Sequence, residues 1–261
     1  MTALALAPEP ARQRAVLAIE ERVRAALGQE RMLFAFQPVV SSISGSVDYF
    51  ECLLRMRDDD GRLVPCGEFI AAAEETGLVG LIDRYVLHRV FDELAAHREV
   101  RLGFNVSGRT ACDRLWLRSL MALLRGRPDD ARRLVVEITE TAALDDLEEC
   151  ARFVDTLRDA GCRVALDDFG AGYTSLRHLQ VLAVDIVKID GSFVRSLAAR
   201  PENRIILRHL LGLTRGFGLG TVGECVETAE EAALLREAGV GYLQGFYFGR
   251  PTTKRAWLDE R

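Results

Sequence analysis

Three short runs decide how this chain folds: LVVEITE at 134–140, RVALDDFG at 163–170 and DIVKID at 185–190. Each is a block of apolar residues that ends on acids. An unbroken apolar run of this length suits a strand buried on both faces, as in a parallel sheet covered by helices. Between the first two runs, residues 147–160 have helical character and are followed by Gly161, a residue type that commonly closes helices. Strand, helix, strand is the repeating unit of an α/β protein.

The same alternation extends in both directions. Strands are expected at 33–40, 47–55, 101–106, 134–138, 163–166, 185–189, 221–223 and 241–244. Helices are expected at 69–75, 81–97, 115–125, 147–160, 203–216 and 229–238, with Gly239 closing the last. Eight strands with intervening helices predict a (β/α)8 TIM-like barrel. Only Ser41–Ser46, including Gly45, separates the first two strands. That gap is too short for a helical crossover, so the first strand is expected to run antiparallel. No linker, repeat or low-complexity tract divides the chain. Residues 1–30 read as an N-terminal leader and an amphipathic helix carrying Val16, Ile19, Val23 and Ala26, and residues 31–261 as the barrel.

Composition narrows the class. The 261 residues are 49% hydrophobic and 28% charged, with a net charge of −5, which excludes a disordered, collagenous or coiled-coil chain. The mild acidity argues against a DNA or RNA duplex as partner. No apolar run approaches the ~20 residues needed to span a bilayer. The start, MTALALAPEP, lacks the basic residues of a secretory signal. None of the six cysteines forms a C-x-x-C pair, and the four histidines lack zinc-site spacing. A cytoplasmic protein with reduced thiols and no membrane contact is the expectation. Only two basic residues, Lys188 and Lys254, are lysines, and only Asn105 and Asn203 are asparagines.

In such a barrel, chemistry sits at the C-terminal ends of the strands. Polar residues collect there: Glu51, Asn105, Glu137 and Glu140, Asp167 and Asp168, Lys188 and Asp190, Glu224 and Glu227, and Gln244. One acid after a strand is most often a helix cap. A set spread over successive strand ends is harder to explain that way. Converging carboxylates raise one another's pKa unless positive charge sits among them, and their hard oxygens select Mg²⁺, Mn²⁺ or Ca²⁺. Two such ions are a common device for phosphodiester cleavage. A lysine at one of these strand ends, in a chain that otherwise uses arginine, points to a compact ammonium in a tight space.

These residues lie in motifs that resemble the EAL-domain phosphodiesterases, which hydrolyse cyclic di-GMP to linear 5′-pGpG. In order they are FQPVV at 36–40, ECLLR at 51–55, PCGEFI at 65–70, AEETGLV at 73–79, NVS at 105–107, EITE at 137–140, DDFGAGYTSL at 167–176, VKID at 187–190, ECVET at 224–228 and QGFYFGRP at 244–251. The resemblance implies a barrel with an antiparallel first strand and two divalent cations, Mg²⁺ or Mn²⁺, with Ca²⁺ inhibitory. It implies Glu51, Asn105, Glu137 and Asp167 as ligands of one ion, and Asp167, Asp168 and Glu224 as ligands of the other. Glu224 is implied as general base, Lys188 as holding the attacking water or a phosphate oxygen, and Glu140 as fixing the loop after Asp168. Arg55 is implied at a substrate phosphate, with Gln244 and Glu227 supporting the substrate site. A homodimer and an upstream sensory or receiver domain are also implied.

Three positions depart from the family pattern: Cys52 in Glu-Cys-Leu, Ala171 in the loop after the aspartates, and Cys225 in Glu-Cys-Val-Glu. Cys52 is expected to point away from Glu51, because side chains alternate along a strand. Cys225 requires its backbone to accept a side chain. Two other functions compete. One is a receptor that binds cyclic di-GMP or a protein without cleavage. The other is a dinucleotide turn at Gly170-Ala171-Gly172, which the two preceding aspartates disfavour by repelling a pyrophosphate.

Overall fold

A computed structural model of the chain describes residues 9–111, 113–139, 146–170, 176–195, 197 and 200–258. The apolar runs form strands where periodicity places them: β1 (Met32–Ser41), β2 (Val47–Arg57), β4 (Leu102–Val106), β5 (Leu134–Thr139), β6 (Arg163–Phe169), β7 (Ile186–Ile189), β8 (Gly220–Gly223) and β9 (Tyr242–Gln244). Strands β2 and β4 to β9 run parallel in chain order. Strand β1 closes the ring between β9 and β2, antiparallel to both. The eight-stranded barrel and its reversed first strand match expectation. A ninth strand, β3 (Leu63–Pro65), pairs with the end of β2 outside the ring. Three residues with one buried side chain carry no alternation from which to read it.

The helices are α1 (Glu9–Gly28), α2 (Ile70–Glu75), α3 (Val79–Ala96), α4 (Gly108–Ala111), α5 (Arg114–Arg125), α6 (Leu147–Asp159), α7 (Leu176–Val181), α8 (Gly191–Val194), α9 (Pro201–Gly216) and α10 (Ala229–Ala238). The six expected barrel helices are found to within two residues at each end. The short α4, α7 and α8 were not foreseen, since one or two turns show no period. Ends are capped by side chains: Asp113 on α5, Asp146 on α6, and a Thr228–Glu231 capping box on α10. Gly161 (φ 94°) and Gly239 (φ 86°) take the left-handed conformation after α6 and α10. No described helix is long and apolar enough to cross a membrane.

The barrel interior is layered. Val39, Tyr49, Val135, Ala165, Ile186 and Val222 form an apolar plug. Outside the ring, strand residues such as Phe104, Val136 and Leu166 pack against Phe91, Trp116 and Phe153 of the helices. Cys52 belongs to this outer core at 4% exposure, so Glu51 points inward as alternation requires. Gly103 lies between plug and mouth. A Cβ there would fall 2.6 Å from both Tyr49 Cε2 and Glu137 Oε1, so only glycine lets Glu137 lie over the tyrosine ring.

Candidate active site

Above the plug, at the C-terminal end of the barrel, the interior turns polar. Lys188 on β7 is 1% exposed. Its Nζ lies 2.6 Å from Glu137 Oε2, 2.9 Å from Glu224 Oε1, 3.2 Å from Asp167 Oδ1 and 3.4 Å from Glu51 Oε2. Glu51 on β2 also accepts from Asn105 Nδ2 (2.7 Å) and Gln244 Nε2 (2.6 Å). Four acids from strand ends therefore converge on one buried ammonium, and two amides, Asn105 and Gln244, converge on Glu51. Gln37 on β1 was missed. It lies opposite Glu51 in the antiparallel register, stands within reach of Gln244 Nε2 at 3.4 Å, and donates to Gly249 O at 3.1 Å. A polar residue inside the apolar run FAFQPVV was the available signal.

Adjacent strand residues should face opposite ways, yet Asp167 and Asp168 both reach the site. Asp168 has φ 57°, a conformation that costs a non-glycine residue energy. The β6–β7 register shifts between Leu166 and Phe169 at the same point. This irregularity turns Asp168 toward the mouth, and its N–H donates to Asp167 Oδ1 at 3.0 Å. One oxygen each from Asp167, Asp168 and Glu224 then lie within 4.8 Å of one another. Cys225 repeats the device, with φ 54° just after Glu224.

Electrostatics show what this arrangement lacks. Burial raises the pKa of Glu137, Asp167 and Asp168, and Lys188 only partly offsets it. Glu224 is pushed up to about 8, chiefly by burial. For Glu51, burial is the largest single influence, but Lys188, Gln244 and Asn105 together outweigh it and lower its pKa. Lys188 is raised well above its ordinary value because four carboxylates overcome its desolvation. Glu137 Oε1 is buried with no hydrogen-bond partner among the described residues. Five carboxylates against one ammonium leave four formal negative charges, which two divalent cations would balance. Hard oxygens, an orphaned carboxylate oxygen and raised acid pKa values fit such ions.

These shifts make stability depend on pH. Acids with raised folded-state pKa hold protons that the unfolded chain has released, so stability falls as pH climbs from the carboxylate range to about 8. Lys188 keeps its contribution throughout, losing it only above 10.5. The metal-free protein is expected to be less stable at pH 8 than at pH 6, by on the order of a few kcal/mol, and therefore to melt at lower temperature. Differential scanning calorimetry checks it, and equal melting at both values counts against the burial of these charges.

Two cavities flank the aspartate pair and share Leu53, Asp167 and Asp168. The larger, about 630 Å³, reaches Asn105, Ile82 and Arg109. The smaller, about 260 Å³, is walled by Glu51, Lys188, Glu224, Gln244, Glu227 and Arg195. Arg55 shares a face of β2 with Glu51 and Leu53. Its Nη1 donates to Leu54 O at 2.9 Å, and it pairs with no carboxylate among the described residues. Asp190 instead caps α8, accepting from Ser192 N at 2.8 Å. Glu140, Ala171 and the Gly170-Ala171-Gly172 turn as a whole fall at or beyond the edge of the described residues.

A closed barrel with acids massed at the C-terminal ends of its strands has the active-site arrangement of the α/β-barrel enzymes. Within that class the chain belongs to the EAL domain family, whose family model matches residues 20–251. It is 30% identical over 237 residues to the cyclic di-GMP phosphodiesterase PdeR of Escherichia coli, covering 89% of this chain and 36% of that protein. It is similarly 30% identical to the cyclic di-GMP phosphodiesterase NbdA of Pseudomonas aeruginosa, covering 90% and 31%. The chain thus spans about a third of the length of these relatives. Among solved structures, the FimX EAL domain from P. aeruginosa bound to c-di-GMP superposes with a TM-score of 0.84 at 32% identity, covering 92% of this chain and 97% of that one.

Proposed function

We propose that the chain is a metal-dependent phosphodiesterase that opens cyclic di-GMP to linear 5′-pGpG. The observation that carries this reading is the set of four carboxylates around Lys188 at the barrel mouth, with Asp168 beside two of them, in a family with relatives named cyclic di-GMP phosphodiesterases. Glu51, Asn105, Glu137 and Asp167 would hold one Mg²⁺ or Mn²⁺, and Asp167, Asp168 and Glu224 a second. Such ions, when bound, polarise a phosphoryl oxygen and make water a better nucleophile.

The chain's own groups do the rest. Glu224, whose carboxyl burial pushes up to about 8 in the metal-free protein, would accept the proton of the attacking water once it is ionised beside bound cations. Lys188 and Gln244 hold Glu51 in place. Arg55 takes a phosphate oxygen, and Glu227 lines the rim. Water attacks phosphorus in line, the bond to the 3′-oxygen breaks, and that oxygen leaves as a hydroxyl. The product keeps a 5′-phosphate.

The test is chromatography of cyclic di-GMP incubated with the protein in Mg²⁺, Mn²⁺ or Ca²⁺. Production of pGpG in Mg²⁺ or Mn²⁺, with inhibition by Ca²⁺, is expected. Tight binding in calorimetry without pGpG would instead make the chain a receptor. Mg²⁺ or Mn²⁺ should also raise the melting temperature more at pH 8 than at pH 6, because the ions bind the ionised carboxylates.

A further inference from the structure

Cyclic di-GMP carries two phosphodiester groups, and the proposed mechanism accounts for the cleaved one. The other also needs a cation; Arg55 is assigned to the cleaved one, and Lys188 is buried among four carboxylates. The smaller cavity has one guanidinium among its described walls, that of Arg195. Arg195 follows α8 directly and is solvent-exposed. Among the described residues no carboxylate pairs with it.

Its position depends on two unusual residues. Arg195 Nη2 donates to Cys225 Sγ at 3.3 Å. Cys225, at φ 54°, fills space that a side chain at position 191 would need. A Cβ on Gly191 would fall 2.5 Å from Cys225 Sγ and 2.6 Å from its Cβ. Gly191 and Cys225 are therefore matched. Together they seat a guanidinium at the wall of the cavity that Glu224 also lines, through a thiol, a weak acceptor that leaves its charge available.

We propose that Arg195, held over the smaller cavity by Cys225, anchors the second, uncleaved phosphate of the cyclic dinucleotide. The proposal rests on cyclic di-GMP as the ligand. A guanidinium fork matches two phosphate oxygens in one plane, and an anchor on the phosphate that does not react holds ground state and transition state alike.

The test is steady-state kinetics of Arg195→Gln in Mn²⁺, with bis(p-nitrophenyl) phosphate as a diester bearing a single phosphate. The KM for cyclic di-GMP is expected to rise about 10- to 100-fold, as for loss of a charge-assisted hydrogen bond, with kcat within about 3-fold. Preference for cyclic di-GMP over the single-phosphate diester should fall by the same factor. Cys225→Gly should raise KM less, and Arg195→Lys should recover part of the loss. An unchanged KM, or equal losses on both substrates, overturns the anchor. A parent protein that binds but does not cleave cyclic di-GMP defeats the phosphodiesterase reading alone, and the calorimetric Kd of parent and Arg195→Gln then decides the anchor. A parent that does neither overturns both.

Discussion

Asp167→Asn is expected to lower turnover of cyclic di-GMP by about 10³-fold or more, a loss of ~4 kcal/mol in transition-state stabilisation. Asp167 belongs to both groups of site acids: it lies 3.2 Å from Lys188 Nζ and clusters with Asp168 and Glu224. Asparagine keeps the shape and a carbonyl oxygen but removes the charge. The fold should survive, since burial already disfavours ionised Asp167. Glu51→Ala should abolish turnover equally but is the less clean variant. It removes an acceptor from Gln244 Nε2, Asn105 Nδ2 and Lys188 Nζ, all of which donate to Glu51, and so costs stability as well. Product chromatography beside a melting curve separates the two effects. Near-normal turnover in a folded Asp167→Asn protein would show that the reacting phosphate sits elsewhere.

The barrel and most of its acids were legible because both derive from period and position. Runs such as LVVEIT are too apolar and too short for anything but buried strands, and polar residues at their ends have only the mouth to face. The reversed first strand was legible from the six residues, 41–46, between the first two expected strands. The rest depends on backbone departures and on distant pairs. Strand alternation would turn Asp168 away from Asp167, and the φ of 57° that brings it back has no signature in DDFG. Cys225 was legible as a strain at a glycine position, but its accommodation by Gly191 joins residues 34 apart in sequence. Arg195 was hidden by abundance, one arginine among many, until the fold put it against Cys225 at the wall of the smaller cavity. Gln244 and Gln37 illustrate the same limit: each was visible as a residue, but their joint support of Glu51 required the β1–β2 and β1–β9 registers.

Lys188→Met is expected to destabilise the metal-free protein at pH 8 by about 3–5 kcal/mol, the cost of removing one partner from a buried charge cluster. For a domain of this size that lowers the melting temperature by roughly 10 °C. Methionine fills the volume of the aliphatic stem, so the loss is that of the ammonium. Without it, the carboxylates of Glu51, Glu137, Asp167 and Glu224 face one another with no cation. Their only relief is to take up protons, which is easy at pH 5.5 and costly at pH 8. The destabilisation should therefore shrink as pH falls, and Mn²⁺ should restore part of the stability at pH 8 by supplying the missing charge. Turnover should still be lost, because the ammonium that orients four of the acids is gone. Scanning calorimetry at both pH values, with and without Mn²⁺, checks each part, and a variant as stable as its parent at pH 8 without metal would show that the acids do not depend on Lys188. Lys188→Arg should not rescue. The Nζ approaches four carboxylate oxygens within 3.4 Å, and a planar fork on a longer stem cannot occupy that point without displacing at least one of them. A chain that uses arginine for nearly every other cation has lysine here because a single compact charge is what the geometry admits.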